Sequence, residues 1–270
     1  MKKLNLNILA QWLLLPGKGM RIGKALLILI AAGFLWAFAA KRQYRKVVNE
    51  VKIEIENEAE NHFVDEEEIK SAITVGKNNL VYMRWLDSVS LNRLERKIRQ
   101  IDFVKDAQVS YDLSGNLKVK VSLVKPIARM VEGGSDFDKY LGSEGEILPT
   151  SEKYAAKVIT LDGPGTRQWM QGLQIKDSAG MELVNLISYI NDNPFWKAQI
   201  THLYIDQKGE IEMIPQVGRQ KIEFGTPENF KSKFEKLYAF YSRIVPVKGW
   251  EAYERISVKY KNQIVCQKNL

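Results

Sequence analysis

Val51, Ile53 and Ile55 alternate with Lys52, Glu54 and Glu56, the two-residue period of a strand with one wet face. The period then changes. Asp65 stands three residues ahead of Glu68 as a capping box, and Val64 and Ile69 hold the two positions of a hydrophobic staple. A helix is predicted there, with Ile69, Ala72 and Ile73 on its inner face. After a turn region at Gly76 to Asn79, Leu91, Leu94, Ile98 and Ile101 recur at helical spacing and mark a second amphipathic helix. Val104 to Leu113 and Leu117 to Leu123 read as two strands joined at Ser114, Gly115 and Asn116. The order is strand, helix, helix, strand, strand, closed at Pro126, because a proline removes a ladder donor and sits at strand ends.

From about residue 127 short apolar runs alternate with turn residues, which predicts a second, β-rich domain with two helices over 127 to 270. Tyr140 to Pro149 reads as a turn between strands, and Val158 to Leu161 as a strand. A helix carrying Met181, Val184, Ile187 and Ile190 stops before Pro194, and strands around Ile200 to Ile205 and Glu210 to Ile214 meet at a hairpin turn, Gln207 to Gly209. Thr226 is placed to cap a further helix with Pro227 at its first position and Phe230, Phe234, Leu237, Tyr238 and Tyr241 inward. Pro246 and Gly249 end that helix, and Tyr253 to Cys266 forms one long closing strand. The fold class is α+β.

Ala25 to Ala40, ALLILIAAGFLWAFAA, holds no charged or strongly polar side chain over sixteen residues. With Lys24 and Arg21 snorkelling to the headgroups, residues 22 to 40 make a single transmembrane helix, with Trp36 near one interface. Residues 1 to 21 are then a cytoplasmic segment, in which Leu4 to Leu15 is too short to span, and 41 to 50 a linker to the module at 51 to 126. Ala37, Phe38 and Ala39 also form an A-x-A pattern, so a cleaved signal peptide is the competing reading. Against it, the run is longer than a usual signal core, and about twenty residues precede it. Five basic residues before the segment and four after it favour a cytoplasmic N-terminus weakly.

Charge sharpens this picture. The net charge of +8 suggests nucleic acid, yet nine Lys or Arg and no Asp or Glu fall within residues 1 to 46. The remaining 224 residues hold 31 basic and 32 acidic side chains, so the body of the protein is neutral and the excess belongs beside lipid headgroups. No nucleic-acid partner is expected. An apolar content of 45% beside 27% charged residues is that of a folded chain, so no long tract need be disordered.

Candidate chemistry is sparse. Cys266 is the lone cysteine, which excludes an internal disulfide and a thiolate metal site. His62 and His202 lack a second ligand at metal spacing and read as loop or strand histidines. Gly163 to Thr166 faintly suggests a phosphate loop, but it has neither the lysine nor a following helix pattern and reads as a turn. No catalytic, cofactor, metal or small-molecule site is predicted, and the chain is read as non-enzymatic.

These elements in this order, with FVKDAQVSYD beside LKVKVSLVKPIARM and the later YLGSEGEILP, resemble the bacterial division proteins of the FtsQ/DivIB family. NPFWKAQI, KFEKLYAFY and ISVKYKNQIVCQK are similar to its Bacteroidetes branch, and the first module resembles a POTRA domain. The resemblance runs from about residue 20 to the end. It implies a single-pass inner-membrane scaffold with periplasmic domains, recruiting and binding divisome partners of the FtsB and FtsL type at the septum through the last strand and a neighbouring helix. Residues 1 to 20 match no part of it, and other POTRA-bearing envelope assembly or transport proteins remain the alternative, disfavoured by a single module and no barrel.

Read as an edge strand, Tyr253 to Cys266 offers unpaired backbone groups for β-augmentation, with Lys259, Lys261 and Lys268 suited to an acidic peptide. The plain alternative is a core strand with solvated lysines. Similarity to the family's binding strand selects Lys259 as charge contact, Tyr260 as aromatic anchor and Asn262 as a further contact. An uncleaved anchor predicts that intact-mass analysis of membrane fractions finds the full 270-residue chain; a soluble protein beginning near Ala40 would contradict it.

Overall fold

A computed structural model describes residues 27–37, 50–56, 62–74, 90–133 and 137–269. Two compact units divide the chain. Ile53–Ile73, Arg93–Gln108 and Val119–Leu270 make the larger; the other described residues, including helix α1 (residues 27–37) and the 109–118 hairpin tip, belong to the smaller. Helix α1 is exposed along its whole length, with Trp36 80% accessible. Among the described residues no helix is long and apolar enough to cross a membrane; the remainder of the 22–40 segment lies outside them, as do Leu4 to Leu15 and Gly76 to Asn79.

The first module has the predicted order: β1 (Val51–Glu56), α2 (Glu66–Ile73), α3 (Leu91–Ile98), β2 (Val104–Tyr111) and β3 (Leu117–Leu123), in a sheet ordered β1-β3-β2. The Asp65 carboxylate accepts the Glu68 amide at 2.8 Å, and Val64 and Ile69 are both buried, so cap and staple are in place. Strand β3 buries Leu117, Val119, Val121 and Leu123 in strict alternation. At the hairpin, Asp112 accepts the amides of Ser114 and Asn116, which turns the chain at Gly115.

Pro126 does not close a strand. It opens β4 (Pro126–Met130), the first strand of a nine-stranded sheet, which contains β5 (Lys139–Gly142), β6 (Ile147–Pro149), β7 (Ile159–Asp162), β8 (Ile200–Ile205), β9 (Ile211–Pro215), β10 (Lys221–Gly225), β11 (Tyr253–Ser257) and β12 (Val265–Lys268). Their spatial order is β12-β11-β10-β9-β8-β7-β4-β5-β6. As the first residue of β4, Pro126 leaves its missing donor at the strand's end.

Two of the parallel pairs require helical crossovers. Between β7 and β8 run α4 (Arg167–Met170), α5 (Ser178–Asp192) and α6 (Pro194–Gln199); between β10 and β11 run α7 (Phe230–Ala239), a π-turn at Phe240–Ile244 and α8 (Val245–Lys248). Leu183, Leu186, Ile187 and Ile190 of α5 and Phe234 and Leu237 of α7 share one core with Leu161, Leu203, Met213 and Phe224 of the sheet. Phe234 is its aromatic centre, with ring centroids 4.8 Å from Trp196 and 5.1 Å from both Phe224 and Tyr189.

Helix α7 departs from its sequence reading at both ends. Thr226 and Pro227 do not cap it; Asn229, left-handed at φ 52°, precedes the first helical residue, while the Thr226 carbonyl accepts the Lys233 ammonium at 2.7 Å. Pro246 does not end the helical run either, because the wider π-turn before it absorbs the missing proline donor and α8 continues to Gly249, φ 86°. Tyr238, expected inward, is 56% exposed.

Asn193 is the joint between α5 and α6. Its backbone amide donates to Ile190 at the end of α5, and its side chain accepts the Phe195 and Trp196 amides at 3.0 and 3.2 Å. Asn193→Ala is expected to cost about 1 kcal/mol of stability, measured by denaturant unfolding; no loss would show that water replaces the cap.

Candidate functional site

An open sheet has two edges, and this one treats them differently. On the β6 side, the backbone of residues 173–175 covers the end of the sheet: the Ile147 amide donates to Leu173 at 2.9 Å, the Ile175 amide to Gly145 at 2.8 Å, and Glu146 bridges Gln174. On the other side β12 is outermost, paired antiparallel to β11 alone, with Val265 46% exposed. Among the described residues no strand pairs with its outer side.

Charged side chains fix the register that leads to this edge. Arg255 of β11 donates to Glu223 of β10 at 2.8 Å and lies 3.7 Å from Glu212 of β9, which also meets Lys221 at 3.1 Å. The parallel ladder continues past β11, where the Val258 amide donates to Glu223 at 3.0 Å.

Tyr253 to Cys266 is therefore not one strand. Residues 258–264 are the connection of a β11–β12 hairpin, and Asn262 turns it at φ 57°. Asn accepts the left-handed conformation more readily than most residues, and the alternation of Val258, Tyr260 and the lysines hides the turn from a periodicity reading. Proline at Asn262 would break this turn, since its φ is fixed near about −65°, so it would not report on strand pairing.

All three residues singled out from sequence lie in this connection. The Lys259 ammonium is 5.6 Å from the Tyr260 ring and 3.8 Å from Glu210, and Tyr260 is 45% exposed. Gly225 permits the close approach: at φ 75°, a Cβ there would lie 2.9 Å from that of Lys259.

Two lysines of α7 that no periodic sequence pattern singles out lie here, and one of them, Lys236, holds the connection. The Lys236 ammonium donates to the carbonyls of both Val258 and Tyr260, each at 2.5 Å. Lys233, buried beneath, donates to Thr226 and lies 5.1 Å from the Phe224 ring. Burial holds both ammonium groups below the ordinary lysine range, and for Lys233 the nearby Lys236 charge adds to the effect. The signal in the sequence is the pair Lys233 and Lys236 within the aromatic face of Phe230, Phe234 and Tyr238.

The remaining sequence candidates have structural roles. His202 Nε2 is 3.0 Å from Asp162 on the adjacent strand, and His62 meets Tyr154 edge to face. Gly163 to Thr166 is a turn, closed by the Thr166 hydroxyl donating to Gly163 at 2.8 Å, although the short helix α4 does follow it. Burial pushes the Cys266 thiol up, away from nucleophilic character. Among the described residues no three His, Cys, Asp or Glu side chains are grouped to hold a metal.

Lys236→Met removes the donor to Val258 and Tyr260. Amide exchange across residues 259–262 should quicken about tenfold, equivalent to a charged hydrogen bond of about 1.5 kcal/mol, while the β8 amides stay protected; unchanged exchange would show that the connection is held without Lys236.

Comparison with known proteins places this architecture. Residues 125–267, just over half of the chain, match the family model described as FtsQ/DivIB, C-terminal related, and residues 46–122 match that of a POTRA-like domain. No curated protein matches the chain. The chain belongs to the FtsQ/DivIB C-terminal-related family and is an FtsQ/DivIB-type cell-division protein.

Proposed function

We propose that the chain is a non-enzymatic scaffold of the division complex that binds extended segments of FtsB/FtsL-type membrane partners by adding them as a tenth strand beside β12. The observation that carries this reading is the unequal treatment of the two sheet edges. One edge is covered by the protein's own backbone, while the other ends in a short strand with an exposed outer side. A partner strand would recover backbone hydrogen bonds along β12, and side chains beside it would supply selectivity.

The connection before β12 supplies the chemistry. Tyr260 offers a half-exposed ring whose neighbour Lys259 faces solvent on one side and Glu210 on the other. Lys268 lies on β12 itself and Lys261 in the turn, so an acidic partner segment is favoured and pairing of two copies disfavoured. Tyr238, two residues on from Lys236 and so on another face of α7, packs edge to face with Phe195 of α6 and is no part of this surface.

Membership of a family of membrane-anchored, non-enzymatic division proteins supports the rest of the reading. In it, residues 22–40 are the inner-membrane anchor, the N-terminus is cytoplasmic, and the folded parts stand in the periplasm at the septum.

Tyr260→Ala is expected to weaken partner binding by about 2 kcal/mol or more, as truncation of an aromatic anchor does, and Lys259→Glu to weaken it by charge reversal. Both should keep the wild-type unfolding midpoint, since both side chains project from a connection and not from the core. The measurement is affinity for the detergent-solubilised division partners, made on the full chain. Unchanged affinity in both folded variants would exclude this segment as the docking site.

A further inference from the structure

A second feature of the larger unit has no part in the β12 reading. A cleft of about 490 Å³ is lined by side chains from widely separated stretches of sequence, within the size range of specific ligand sites. Three lysines border it: Lys125 just before β4, Lys157 in the stretch leading to β7, and Lys197 on α6. All three are exposed, and none has a carboxylate within ion-pair distance among the described residues. Among the described residues Asp192 is the single acid in the lining.

Lysines nearby behave otherwise. Lys153, four residues before Lys157, is clamped between Asp65 and Glu68 at 3.1 and 2.9 Å, and Lys105 meets Glu144 at 2.6 Å. In a body whose charges nearly cancel, three unpaired ammonium groups around one cleft leave a local positive excess of two over the Asp192 carboxylate.

The walls are not those of a simple anion hole. Tyr154, Ala156 and Val158 are half-buried and present apolar surface, and the Tyr154 ring rests edge to face, 4.9 Å away, on the buried Phe63. Residues 155–158 run outside the sheet, since β7 begins only at Ile159; of their amides, that of Ala156 is taken by the Tyr140 hydroxyl at 3.1 Å. Cationic rim, apolar walls and a length of main chain outside any ladder together match an extended peptide with alternating acidic and apolar side chains.

We propose that this cleft binds an acidic peptide segment, with the carboxylates met by Lys125, Lys157 and Lys197 and the intervening apolar side chain against Tyr154 and Val158. The site is independent of the β12 edge, and the two can fail separately.

The test uses the full chain in detergent and a fluorescent probe, acetyl-Glu-Leu-Glu-Phe-Asp-amide, read by anisotropy. Binding in the micromolar range is expected, weakening as salt rises from about 50 to about 500 mM, with loss of at least tenfold in a Lys125→Ser, Lys157→Ser, Lys197→Ser triple variant. A control carrying Lys208→Ser, Lys231→Ser and Lys248→Ser, equal in charge, should bind as wild type; so should the variant Tyr260→Ala. The Gln/Asn counterpart of the probe should not bind. Equal affinity in both triple variants, no binding of the probe up to millimolar concentration, or pyrophosphate binding tighter than the probe would each overturn the proposal, the last by assigning the lysines to a small phosphate ligand.

Discussion

Every backbone N–H and C=O in a sheet needs a partner, and an open sheet must meet that need at two edges. Here, among the described residues, the constraint is met by protein at one edge and left to solvent at the other. Residues 173–175 lie against β6 and Glu146, whereas among the described residues β12 has β11 on one side and no strand on the other. The route of the chain follows from this. The crossover through α7 and α8 sets β11 parallel to β10, and the final hairpin can then only fold outward, making the last strand the outermost one.

The interior makes such an edge sustainable. Phe234, Trp196, Phe224 and Leu237 bury one face of the sheet under α6 and α7, to which β12 adds the partly buried Cys266. On α7 the Lys236 ammonium reaches past the core to hold backbone at the site, at Val258 and Tyr260, while Lys233 holds Thr226 just after β10. A short strand with Lys268 near its end also resists pairing with another copy of itself, the usual hazard of an open edge.

Elements governed by local chemistry were legible in the residues. The Asp65 cap, the alternation of β3, the Asp206 turn, where one carboxylate accepts the amides of Lys208 and Glu210, and the apolar face of α5 all depend on neighbours a few positions away. What stayed hidden depends on distant partners. Strand β10 has no local signature, because Lys221 and Glu223 owe their places to Glu212 and Arg255 on other strands. Asn229 and Asn262 adopt left-handed conformations that no periodicity reveals, so the pattern predicts the helix start three residues early and shows the hairpin as one strand. The site residues Lys259, Tyr260 and Asn262 were found by family likeness, while Lys236, which holds two of their carbonyls or those of their neighbours, carries no signal except its place beside aromatic residues.

The central claim is that β12 is a docking edge. Hydrogen exchange of the full chain, with and without its purified division partners, tests it directly. Strand addition predicts that amides within Val265–Lys268 become protected on binding while those of β6 do not change. Binding that protects another surface and leaves Val265–Lys268 exchanging as in the free protein would contradict the account.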